Sequence, residues 1–116
     1  MHMIKNETEK LLDNLTGFGK RINKNPAYFH TYVSEMNNKV KHFRNLVSEN
    51  SAAISNKFFK YWDAYMEKYN QLPSGYVWNS KDLVKNNQFI NDTVLKSLFM
   101  KSLISLTEIY KNLITE

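Results

Sequence analysis

The sequence contains no cysteine, which excludes disulfides, thiolate metal sites and cysteine nucleophiles. Glycine and proline are scarce, with 3 and 2 residues among 116, and so few breakers favour long helices over a many-turned β fold. The longest apolar tract, within TVLKSLFMKSLISL, is interrupted by Lys96 and Lys101, so we expect no transmembrane segment. The start, MHMIKNETEK, lacks the apolar run of a secretory signal. These absences together predict a cytoplasmic protein.

Length and composition predict one globular domain over residues 1–116, since 42% of residues are hydrophobic and 23% are charged. The formal net charge of +5 permits an acidic partner. The basic residues are scattered, however, and no helix-turn-helix or ribonucleoprotein motif is present. The sequence therefore does not favour nucleic acid as the partner.

Apolar residues recur in steps of three and four, which predicts an all-α fold, an antiparallel bundle or hairpin of about four helices. The first stripe consists of Ile4, Thr8, Leu11, Leu15, Phe18 and Ile22, and NKNP at 23–26 ends that helix. The second helix begins at Pro26 with Asn25 as its predicted N-cap. Its stripe consists of Phe29, Val33, Met36, Val40, Phe43 and Val47.

The third stripe consists of Ile54, Phe58, Tyr61, Tyr65 and Leu72. Two alternatives exist for its connection to the second helix: a turn or kink capped by Asn50 or Ser51, which a single domain favours, or one long helix over 26–72. A short helical turn around Leu83 and Val84, capped by Ser80 or Asp82, is expected before the last helix. That helix, capped by Asn91 or Asp92, is apolar over a wide face formed by Val94, Leu95, Leu98, Phe99, Ser102, Leu103, Leu106, Ile109, Tyr110 and Leu113.

The stretch KFFKYWDAYMEKYNQLPSGYVWNS carries eight aromatic residues and both tryptophans. They cover more than one helix face, so either neighbours sandwich this helix or part of its surface awaits a partner. By helical angle, we expect the third stripe to face the core and the adjacent face to lie at its edge, covered by a lid that folds back after Pro73 and Gly75. The predicted partner-binding residues are Phe59, Trp62, Met66, Tyr69, Tyr76 and Trp78.

The residue types that carry catalysis show no supporting pattern. His2, His30 and His42 have no neighbour at metal-ligand spacing. Asp63 and Glu67 lie one turn apart between lysines, which indicates a solvated helix face. The glycines at 17 and 19 lack the spacing of a phosphate loop, and no nucleophile elbow occurs. The sequence predicts no enzyme, no cofactor and no metal.

Three stretches resemble the N-terminal region of polyhydroxyalkanoate synthases: NPAYFHTYVSEMNNKVKHF at 25–43, FFKYWDAYMEKYNQL at 58–72, and KDLVKNNQFINDTVLKSLFMKSLISLTEIYKNLI at 81–114. The corresponding positions in the last stretch are Asp82, Phe89, Asn91, Leu98, Leu103 and Leu113. Leu83-Val84 stands where the family has Arg-Phe. Because the family's catalytic residues lie downstream of this region, the resemblance implies a non-catalytic accessory piece that self-associates, docks on a synthase or coats a polymer granule.

Two functions are therefore expected from the sequence. The first is a non-enzymatic helical protein-interaction module that binds a protein partner or forms a homo-oligomer, associated with a synthase or a granule. The alternative is a small helical inhibitor or immunity-type protein that binds a toxin or an enzyme, with YWDAYMEKY as the inserting segment.

Overall fold

The computed structural model describes residues 2–49, 57–73, 75–78 and 88–115. Within these ranges the elements are α1 (His2–Lys24), one 3₁₀ turn (Pro26–Tyr28), α2 (Phe29–Glu49), α3 (Lys57–Asn70) and α4 (Gln88–Thr115). No strand occurs in them, which confirms the predicted all-α fold of about four helices.

Several predicted features lie outside the described residues. Between the second and third helices these are the predicted caps Asn50 and Ser51 and the core position Ile54. Before the last helix they are the short helical turn at Leu83 and Val84 and its predicted caps Ser80 and Asp82.

The predicted stripe of α1 is buried along its whole length. Thr8 is polar but lies inside the stripe, because its hydroxyl donates a hydrogen bond to the Ile4 carbonyl at 2.7 Å. The helix ends at Lys24, as predicted, because Pro26 offers no N–H with which to continue the ladder.

The stripe of α2 is buried from Phe29 to Phe43 and half-buried at Val47. Asn25 occupies the N-cap position of the 3₁₀ turn, as predicted, but its side chain makes no capping hydrogen bond. Instead the Tyr28 N–H donates to the Asn25 backbone carbonyl at 3.0 Å. The backbone hydrogen bond of this tight first turn therefore takes the place of a side-chain cap.

The second and third helices are separate and antiparallel. Arg44 Nη2 lies 2.9 Å from both carboxylate oxygens of Asp63, whereas nineteen residues of continuous helix would separate them by about 28 Å. Trp62 Nε1 donates to Asn37 Oδ1 at 3.0 Å, and towards the other end of the pair His30 Nδ1 lies 2.7 Å from the Tyr69 hydroxyl. These contacts exclude one long helix over 26–72.

The four helices form an antiparallel bundle measuring 49 × 22 × 21 Å. α1 packs against α2 and α4, and α3 packs against α4. Across the centre, the Phe18 ring of α1 contacts Trp62 and Tyr65 of α3 edge-on, each with ring centroids 6.2 Å apart. One aromatic residue of α1 thus ties the diagonal of the bundle together.

α4 begins at Gln88, so the prediction that Asn91 or Asp92 caps it is wrong. Asp92 is buried inside the helix, and its carboxylate accepts a hydrogen bond from the Tyr76 hydroxyl. The carboxylate therefore serves a tertiary contact with the preceding loop and does not act as the predicted cap.

Candidate functional site

The aromatic residues of α3 lie mostly inside the bundle. Trp62 is only 1% exposed, so its predicted position at the exposed edge of the core is wrong. Its indole stacks on Tyr65, with centroids 4.9 Å apart and planes 12° apart. Because α3 faces α1 across the core as well as its two neighbours, its buried arc is wider than one stripe. Of the two alternatives, burial of α3 between neighbouring helices therefore explains why Trp62 is not exposed.

The other predicted contact residues of α3 are covered to different degrees. Phe59 is nearly buried: its ring contacts Phe43, and the Arg44 guanidinium carbon lies 4.6 Å from its centroid. Met66 and Tyr69 are half-buried against the core. Only a small part of the predicted partner surface on α3 is therefore open to solvent, and its role in partner binding stays a prediction.

The loop after α3 folds back onto the bundle through a turn in which Tyr76 N–H donates to the Pro73 carbonyl at 3.1 Å. Gly75 adopts a φ of 81° at the third position of this turn, which favours glycine. Tyr76 and Trp78 are consequently buried. Trp78 stacks on Phe29 at 5.0 Å between centroids, so the predicted fold-back occurs and fills the end of the core.

His30 of α2 is exposed and connects this loop to α3. Its Nδ1 lies 2.7 Å from the Tyr69 hydroxyl, and its Nε2 lies 3.3 Å from the Tyr76 carbonyl oxygen. A carbonyl only accepts, so Nε2 carries the proton, and in the neutral imidazole Nδ1 accepts from the Tyr69 hydroxyl. The ring therefore joins the two tyrosines.

Burial raises the pKa of two tyrosines in this region. Desolvation raises the pKa of the Tyr65 phenol well above 10.0, and the nearby charges of Tyr69 and Asp92 raise it further. Desolvation likewise raises the pKa of Tyr69. Both side chains are neutral hydroxyls at neutral pH, which suits a packing and hydrogen-bonding role.

A groove of about 420 Å³ runs between α1 and α4. Its apolar lining consists of Ile22, Tyr65, Trp78, Leu95, Phe99, Met100 and Leu103. Such a volume falls within the range of ligand and side-chain pockets. Its apolar lining makes this groove the candidate binding site.

The narrow packing of α1 against α4 shapes this groove. Gly19 faces Phe99 so closely that a Cβ at Gly19 would lie 2.9 Å from the ring. The glycine thus lets the Phe99 ring lie against the α1 backbone. On the solvent side, Met100 is 50% exposed and Ile104 is 55% exposed. These two side chains lie one turn apart and extend the apolar surface outwards along α4.

The charge of the groove is positive. Its described lining includes Lys20 from α1 and Lys96 from α4, and no carboxylate. The Lys96 ammonium lies 5.3 Å from the Trp78 ring centroid, which places it at the loop end of the groove. One cation on each wall therefore flanks an apolar floor.

A second groove, of about 410 Å³ between α1 and α2, has a different character. Its charged lining is mixed: Glu7, Lys10, Glu35 and Lys39. The balanced charge gives no preference for a ligand of one sign. In the described part of the chain, no three His, Cys, Asp or Glu residues cluster as metal ligands, and no helix is long and apolar enough to cross a membrane.

The groove residues Gly19, Lys96, Met100 and Ile104 were not predicted as a site from the sequence. The available signal was the apolar pair at 100 and 104, which falls on the side of α4 away from its buried stripe. Searches of protein-family models, curated proteins and solved structures each found no match. The resemblance to polyhydroxyalkanoate synthases remains a prediction.

Proposed function

We propose that this protein is a non-enzymatic helical interaction module that binds a protein partner in the groove between α1 and α4. The observation that carries the proposal is an apolar groove of about 420 Å³ that includes the half-exposed Met100, with Ile104 exposed one turn further along α4. Contiguous apolar surface of this kind, rimmed by polar residues, is typical of interaction sites.

The side chains of the groove suit protein docking. Methionine adapts its shape to a partner because its unbranched chain is flexible and its sulfur is polarizable. Phe99 and Leu103 supply an apolar floor, and the lysines on both walls lie where an interface has its polar rim. The aromatic residues of α3 support this surface indirectly, because Tyr65 forms part of the floor.

Photo-crosslinking from the groove tests the proposal. A benzophenone amino acid replaces Met100 in the full chain, and a matched variant carries it at Asn45, an exposed position on α2. After irradiation in the native cells, we expect a discrete protein adduct from position 100 that position 45 does not give. Equal adducts from the two positions, or none above background from position 100, would refute groove docking.

A further inference from the structure

We infer that the segment bound in the groove is an acidic amphipathic helix of the partner. This inference rests on the proposed function and adds the chemistry of the occupant.

Charge complementarity gives the first reason. Lys20 and Lys96 stand on opposite walls, and no carboxylate occurs in the described lining. A segment with Asp or Glu beside its apolar anchors meets opposite charge on both sides, which favours encounter and fixes register. A second copy of this chain has the same net charge of +5, so these lysines would repel it. The electrostatics therefore select an acidic partner over self-association in this groove.

The shape of the groove gives the second reason. Its walls are two antiparallel helices, and a third helix lying in the valley between them packs side-chain ridges into grooves as bundle helices do. From Lys96 to Leu103 the wall rises about 10 Å, which spans roughly two turns. A docked helix then buries apolar residues at spacings i, i+3 or i+4, and i+7.

The position of the lysines predicts where the acidic residues lie on that helix. Lys96 marks the end of the groove closed by Trp78, and Lys20 stands beside Gly19 on the facing wall. We therefore expect carboxylates on both flanks of the apolar stripe, towards the end that packs near Trp78. Met100 and Leu103 then receive the apolar anchors.

The first step of the test is to identify the partner segment crosslinked to position 100 by mass spectrometry. We expect an amphipathic helical segment with at least two acidic residues flanking its apolar stripe. An adduct with a second copy of this chain, with a lipid, or with a segment that lacks acidic residues overturns the inference, whereas the absence of any specific adduct overturns the proposed function itself.

The second step measures the affinity of a synthetic peptide of that segment by calorimetry. Lys20→Glu and Lys96→Glu should each weaken binding by about three- to tenfold, as reversal of a rim charge does. Lys41→Glu, which makes the same charge change on the exposed face of α2, should leave the affinity within about twofold. Equal effects of all three variants, or none from the groove variants, would show that the acidic residues do not meet these lysines.

Discussion

Tyr65 lies at the centre of the core, where its ring packs against Trp62 and Phe18 and is 1% exposed. Tyr65→Ala should destabilise the fold by about 3 kcal/mol, as truncation of a large buried aromatic does. Urea unfolding measures this loss, and Tyr61→Ala is the matched control because Tyr61 is half-buried on the same helix. A smaller loss for Tyr65 than for Tyr61 would contradict the described packing.

The phenol of Tyr65 also predicts the response to alkaline pH. Its folded-state pKa is raised above the unfolded value, so the stability it contributes is intact below about pH 10 and falls as pH rises further. Each such tyrosine steepens the loss by about 1.4 kcal/mol per pH unit.

Denaturant melts from pH 8 to pH 11 test this expectation, with Tyr65→Phe as the variant that removes the ionisable group. The wild-type protein should lose stability more steeply above about pH 10 than Tyr65→Phe does. Identical slopes for the two proteins would mean that the phenol is not desolvated in the folded state.

At the scale of the element, the two glycines of α1 provide a matched pair. Nothing lies within 4 Å of a Cβ built on Gly17, whereas one on Gly19 meets Phe99 at 2.9 Å. Gly17→Ala should therefore stabilise the protein by about 0.5–1 kcal/mol through helix propensity alone. Gly19→Ala should be less stable than Gly17→Ala by about 1 kcal/mol or more, because the ring must shift.

Thermal melting distinguishes the two glycine variants. Equal gains in Tm would show that Phe99 moves aside freely and that the approach of α1 to α4 does not depend on glycine. A Tm for Gly19→Ala below that of Gly17→Ala would confirm that the floor of the groove is tightly packed.

The stripes of α1 and α2 could be predicted from the sequence, because each buries one face whose spacing is visible in the apolar pattern. The environment of α3 could not, since angular reasoning assumed one buried stripe. Trp62 lies about 100° from that stripe and is nevertheless buried by Phe18 from the diagonal helix. Long-range contacts such as Gly19 with Phe99 leave no periodic signal, which is why the groove was not predicted.

At the scale of the whole molecule, most of the aromatic residues in 57–78 pack within one chain. Trp62, Tyr76 and Trp78 are all buried, so they give no surface to a second copy. We expect a monomer in sedimentation at moderate salt, with repulsion from the net charge of +5 opposing association. A concentration-dependent dimer that Met100→Asp abolishes would instead assign the groove to a second copy.

The most direct test of groove docking is hydroxyl-radical footprinting of two methionines in the wild-type chain, with and without the partner that crosslinking identifies. Met100 lies in the groove and is 50% exposed, whereas Met66 is half-buried on α3, where the sequence predicted the partner surface. A partner docked in the groove should slow oxidation of Met100 severalfold and leave oxidation of Met66 unchanged. Protection of Met66 with no change at Met100 would contradict groove docking and return the docking surface to the aromatic helix.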